Sequence, residues 1–166
     1  MVILARIDDR LIHGQVVEGW VNFLKATCII VADDKVAANP LQRSIMEISA
    51  PEGLKVVIGT VNEICEKIRS TALDTERAIL LFSNPADVVR SFKAGLTCPV
   101  INLGGLHYVP GKRRIMDVLA VDDADLEALQ DILRQGVKVE IQTVPTEKAQ
   151  PLEKVLKVFM RETSTK

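Results

Sequence analysis

The chain is short of the residues that most often advertise chemistry: two histidines, one tryptophan, one tyrosine and three cysteines in 166 residues. Cys28, Cys65 and Cys98 are odd in number, lack CxxC spacing and sit in apolar segments. That argues against a disulfide framework or a zinc site and predicts reduced, buried thiols. Charge of one sign is also lacking, with 21 basic against 22 acidic residues and a formal net charge of -1. Such balance leaves no electrostatic footprint for nucleic acid. No apolar run approaches the ~20 residues of a membrane span. The opening Met1-Val2-Ile3-Leu4-Ala5-Arg6 reaches a charge too soon for a signal peptide, so a cytoplasmic location is expected. There is no internal repeat, low-complexity stretch or linker, and residues 1–166 read as one domain, with only Thr163-Ser164-Thr165-Lys166 as a fraying tail.

What is present is a hydrophobic content of 48% laid out in short runs. Residues 2–5, 28–32, 54–58, 78–82 and 100–103 are almost continuously apolar, interrupted only by Lys55 and Asn102, as strands buried on both faces are. Helical patterns alternate with them, which predicts an α/β fold: an open, mainly parallel sheet with helices on both faces. Residues 137–142 (VKVEIQ) alternate strictly, and this strand belongs nearer an edge.

Helix starts are marked by residues that satisfy the first-turn amides. Thr60 with Glu63 reads as a capping box. Asn39-Pro40 and Asn84-Pro85 place a capping asparagine before a proline at the first helical position. Asp122 and Asp123 precede a helix whose inner stripe is Leu126, Leu129, Ile132 and Leu133, and Gly136 can end it in a left-handed conformation. A last helix is expected from about Pro151 to Met160.

Ligands of open α/β sheets bind beyond the carboxyl ends of the strands. This reading puts Asp8, Asp9, Arg10 and His13 there after the first strand, Asp33 and Asp34 after the second, and Ser83 and Asn84 after the fourth. Gly104 and Gly105 follow the fifth. His13 precedes an apolar stripe of helical spacing (Val16, Val17, Trp20, Leu24), which sets it at a helix N-terminus, a natural anion site. Arg10 can supply a bidentate contact to phosphate oxygens. Asp8 or Asp9 can accept the second imidazole N–H and fix its tautomer. A neutral imidazole so placed is a competent nucleophile, but it can equally bind a metal or simply pack. Trp20 reads as core. His107 and the run Lys112-Arg113-Arg114 read as surface loop and solvated basic turn.

The stretch ARIDDRLIHGQV (residues 5–16) resembles the active-site signature of the enzyme IIB subunits of the mannose/fructose/sorbose class of the bacterial phosphoenolpyruvate-dependent sugar phosphotransferase system. The segments IVADDKVA (30–37), LLFSNP (80–85) and NLGG (102–105) resemble the same family, in the same order. The resemblance implies an antiparallel edge strand. It also implies a phosphotransferase that takes a phosphoryl group from a phosphohistidine of a IIA partner onto His13, at Nδ1. From there the group passes to a sugar presented by the membrane IIC and IID subunits, with the chain peripherally associated with that permease. Arg10 would stabilise the phosphoryl charge. Read from the residues themselves, Asp9 can orient the imidazole or serve as a capping or salt-bridging acid, Arg6 can attract phosphate or form a structural pair with one of these acids, Ser83 can bond phosphate or cap the helix alongside Asn84, and Gly14 can offer its amide to phosphate. No cofactor and no metal are implied. The other reading of the same residues is a regulatory relay or anion-binding module that transports no sugar.

Overall fold

The computed structural model describes residues 1–164, with side chains through Arg161. Nine strands form: β1 (Val2–Asp8), β2 (Cys28–Ala32), β3 (Lys55–Gly59), β4 (Ala78–Phe82), β5 (Val100–Gly105), β6 (Arg113–Met116), β7 (Leu119–Val121), β8 (Lys138–Ile141) and β9 (Gln150–Pro151). Seven of them make one sheet in the order β3-β2-β4-β1-β5-β8-β9. Its pairs are parallel except β8 with β9, so the antiparallel edge strand is present and the alternating segment lies one strand in from the edge.

The apolar runs are continuous because both faces are covered. One face, including Ala5, Ile7, Ile30, Leu80, Phe82 and Leu103, packs beneath α4 (Val61–Arg69), α5 (Pro85–Lys93), α6 (Asp123–Arg134) and α7 (Leu152–Ser164). The other, with Ile29, Val31, Ile79 and Leu81, packs against Leu11, Ile12, Val16 and Trp20 of the segment after β1. Val36 of α2 (Asp34–Ala37) joins this second core, and α3 (Pro40–Ser49) packs the partly buried Met46 against it but has no fully buried residue. All three thiols are free. Burial pushes those of Cys28 and Cys98 up to about 11, which leaves them inert at neutral pH.

The helix starts form as expected. Thr60 and Glu63 complete a capping box, Asn39 accepts from the Leu41 and Gln42 amides, Asn84 from Asp87, and Asp122 from Asp125. Gly136 adopts φ +80° after α6.

Three expectations are corrected. Pro151 belongs to β9, and α7 extends through Thr163 and Ser164, while Thr165 and Lys166 lie outside the described residues. The basic run is no free turn: Arg113 and Arg114 begin β6, which pairs with β7 in a separate antiparallel hairpin. Lys112 pairs with Asp125 at 2.7 Å, Arg113 with Asp123 at 2.6 Å, and Arg114 stacks over Tyr108 at 5.2 Å. Finally, Gln15–Val21 winds as a π-helix, continued by α1 (Asn22–Leu24). Such wide turns are rare and gather at functional sites.

Candidate functional site

At the carboxyl end of β1, alternation along the strand sends Arg6 and Asp8 to the same side. Both are fully buried, and Arg6 Nη2 donates to Asp8 Oδ2 at 2.8 Å. Arg6 also donates to Asn102 Oδ1, to the Gln142 carbonyl at 3.0 Å and to the Thr143 carbonyl at 3.1 Å. Its guanidinium lies 5.5 Å from the Trp20 ring centroid, and Trp20 itself is buried and donates to Thr143 at 3.0 Å. Burial pulls the Arg6 guanidinium below its ordinary value, with Asp8 opposing the shift. Arg6 is therefore a structural cation. The phosphate contact expected of Arg6 gives way to the other reading, a structural pair with an acid, because its terminal nitrogens face protein acceptors inside the core.

Gly104 makes room for this arginine. A Cβ built on Gly104 would stand 1.9 Å from Arg6 Nη2. We expect Gly104→Ala to lower unfolding stability by about 2–3 kcal/mol through overpacking at a buried charge. Urea denaturation measures it, and an unchanged midpoint would contradict this account.

Asp8 is the hub of the loop. Its Oδ1 accepts from the Arg10 amide and from Arg10 Nε, both at 3.2 Å. Arg10 Nη2 reaches Gln15 Oε1 at 2.8 Å and Asp8 Oδ2 at 3.4 Å, and the side chain is 37% exposed. The Arg10 guanidinium thus sits half in solvent, free to reorient, unlike that of Arg6.

His13 is 17% exposed at its side chain, and its Nε2 lies 3.6 Å from Asp8 Oδ2. That separation is an electrostatic contact rather than a hydrogen bond, and Nε2 is closed to solvent. Nδ1 stands 2.9 Å from the Leu11 carbonyl, so a proton there donates to it. Leu11 is a buried leucine at φ +55°. Left-handed backbone at such a residue stores about 1–3 kcal/mol and marks segments whose shape serves function. Each ring nitrogen therefore faces an oxygen, whereas a neutral imidazole offers one N–H and one lone pair. One contact must be released before the ring acts as a nucleophile.

The helix begins just beyond His13, as expected, with Gly14 as its N-cap residue. Gly14 is exposed with φ -50° and ψ -46°, and the Val16 and Val17 amides bond the His13 carbonyl at 3.0 and 2.9 Å. The amides of Gly14 and Gln15 belong to the first turn, where helices have no internal acceptors. The positive end of the segment thus adjoins the imidazole.

Asp9 orients a different imidazole. Its two carboxylate oxygens accept from the His107 amide at 2.7 Å and from His107 Nδ1 at 2.6 Å. The acid facing His13 is Asp8, which corrects the assignment of Asp9 to that ring. Ser83 lies on the same rim, one residue beyond the Ile7–Phe82 register pair. Its hydroxyl donates to Asp33 and accepts from Asn84 Nδ2, so it is engaged with protein rather than held open for phosphate. Asp33 caps α2, and Asp34 accepts from the Val61 amide and pairs with Arg90. The hydrogen bond donated by the Val61 amide holds the Asp34 carboxyl below its ordinary value.

No trio of His, Cys, Asp and Glu among the described residues is arranged to hold a metal ion. Nor is any described helix long and apolar enough to cross a membrane. Five concavities among the described residues are lined by neither His13 nor Arg10. One of them, about 590 Å³, lies along the amino end of β1, and another of about 590 Å³ lies beside Met116–Val118 and Ile141–Thr143.

Sequence comparison decides the family. The profile of the phosphotransferase-system sorbose-subfamily IIB component matches residues 2–166. This chain belongs to that family. It is 39% identical over 155 residues to the N-acetylgalactosamine-specific phosphotransferase enzyme IIB component 2 of Escherichia coli K12, covering 93% of this chain and 98% of the relative. It is 35% identical to the mannose-specific EIIAB component of the same organism over 144 residues, 87% of this chain but 45% of that protein. Among solved structures, the IIBSor domain of the sorbose permease from Klebsiella pneumoniae superposes with a TM-score of 0.89 at 29% identity, covering 95% and 97% of the two chains. The sorbose-subfamily chain described here is accordingly a transferase, a phosphoryl-relay component of a sugar phosphotransferase system.

Proposed function

We propose that His13 is the relay residue: it accepts a phosphoryl group from a phosphohistidine on a IIA partner and passes it to a sugar delivered by a membrane IIC/IID permease. The observation that carries this reading is an imidazole at a helix N-terminus, beside a reorientable arginine, with a buried carboxylate facing its inner nitrogen.

Nδ1 is the accepting atom in this scheme. Nε2, closed to solvent, keeps its proton toward Asp8, while Nδ1 leaves the Leu11 carbonyl and presents its lone pair at the rim. The N–P bond of the donor breaks as the new N–P bond forms, and the departing imidazole retains the electron pair. Arg10 swings from Gln15 onto the phosphoryl oxygens, joined by the first-turn amides of Gly14 and Gln15. Positioning and charge stabilisation suffice for such a transfer. The chain works peripherally at the permease, and sugar choice resides in the permease. The fused EIIAB relative is consistent with IIA as the donor.

The test is incubation with phosphoenolpyruvate, enzyme I, the phosphocarrier HPr and a cognate IIA. We expect an acid-labile adduct on the wild-type chain. Arg10→Ala should fold normally and accept the group about 10²–10³-fold more slowly, the usual effect of removing one charge-stabilising donor. Wild-type rates in that variant would remove Arg10 from the mechanism. A chain left unmodified while IIA is phosphorylated would instead favour an anion-binding module.

A further inference from the structure

The chain has two histidines, and both stand at this one rim, each facing one of two consecutive aspartates. Asp8 faces His13. Asp9, the next residue, accepts from His107 through both carboxylate oxygens. The strands that carry them are neighbours, with Asp8 paired to Gly105 and the Asp9 amide donating to the Gly105 carbonyl at 3.1 Å. Gly105 keeps the second imidazole's place open, since a Cβ there would meet His107 Cε1 at 3.2 Å.

The two rings differ in what they can do. His13 is mostly covered, and both its nitrogens face protein oxygens. His107 is 44% exposed, with Nδ1 held by Asp9 and Nε2 in no hydrogen bond among the described residues. An Nδ1–H donated to a carboxylate leaves the lone pair on Nε2, the arrangement of an oriented general base.

Resting on the relay proposed above, the two transfers differ in proton demand. Imidazole-to-imidazole transfer involves a nucleophile that already has a free lone pair. Transfer to a sugar must remove the proton of a hydroxyl as the P–O bond forms. We propose that His107, oriented by Asp9, is the catalytic proton acceptor of this second transfer. The His13 N–P bond breaks and its electron pair returns to the imidazole. The sugar oxygen bonds phosphorus, and its proton passes to His107 Nε2, where Asp9 compensates the imidazolium charge until solvent takes the proton.

The experiment measures the two half-reactions separately on the full chain, with membranes containing the permease. N-acetylgalactosamine, mannose, fructose and sorbose serve as probes, and the sugar that discharges the phosphorylated wild type fastest is used. His107→Gln should accept phosphoryl from IIA within twofold of wild type yet discharge it to sugar about 10²-fold or more slowly. In His107→Ala, added imidazole should restore part of the discharge rate, which a purely structural role would not allow. Wild-type discharge by His107→Gln, equal slowing of both half-reactions, or failure of imidazole rescue overturns the proposal. A wild-type chain that keeps its phosphoryl group with all four sugars overturns sugar transfer itself, and the base role with it.

Discussion

Replacing Asp8 by Asn should cost about 3–5 kcal/mol of unfolding stability, the usual penalty for leaving a buried charge without its counter-ion. Asp8 is fully buried against a fully buried Arg6, and it also receives the Arg10 amide and side chain. Asparagine has one acceptor oxygen for these donors, and its amide hydrogens would face guanidinium or imidazole N–H groups. Asp9 is the internal control. It also pairs with a cation-capable group, His107, but with side chains 31% and 44% exposed. Asp9→Asn should therefore lose less than about 1 kcal/mol. Urea unfolding at neutral pH distinguishes the two, and equal losses would contradict the assignment of Asp8 as the buried hub. Because Asp8 also faces His13, the same substitution should slow phosphoryl acceptance in whatever fraction remains folded.

Replacing His13 by Gln should abolish the phosphoryl adduct while leaving the fold intact. The ring contributes one backbone hydrogen bond, to Leu11, and an electrostatic contact at 3.6 Å. Its removal should cost about 1 kcal/mol or less. Glutamine approximates the side chain's bulk but has no nucleophilic nitrogen. The expected result is a unchanged unfolding midpoint within that margin and no acid-labile phosphate after incubation with phosphorylated IIA, detected by intact mass. Adduct formation in His13→Gln would place the phosphoryl group on another residue.

Much of this arrangement is legible in the chain because it is local. Strands buried on both faces must be continuously apolar, and caps must stand within three residues of the amides they satisfy, so 28–32, 78–82, Thr60, Asn84 and Asp122 declare themselves. His13 stands out for a related reason: its loop, its arginine and its helix start lie within ten residues. What is hidden depends on distant partners. Asp8 and Asp9 are chemically identical neighbours, and only strand alternation together with a residue 98 positions away sorts which imidazole each one serves. Whether Arg6 meets phosphate or pairs inside the core is undecided by the local sequence, because Asn102, Gln142 and Thr143, which bury it, are 96 to 137 positions distant. Gly104 was the available signal, since a missing side chain beside a strand end leaves a space for another group. The β6–β7 hairpin escapes the pattern because its strands have four and three residues and an irregular register. For the π-helix, nothing in the side chains of Gln15–Val21 separates the wider turn from an ordinary helical stripe.

The central claim, that His13 carries the relayed phosphoryl group, is tested most directly by ³¹P and ¹⁵N NMR of the chain phosphorylated through IIA. The account predicts one phosphohistidine, with phosphorus coupled to Nδ1 of His13, Nε2 still protonated, and His107 unmodified. A phosphorus signal coupled to His107, or to no histidine nitrogen at all, would contradict it.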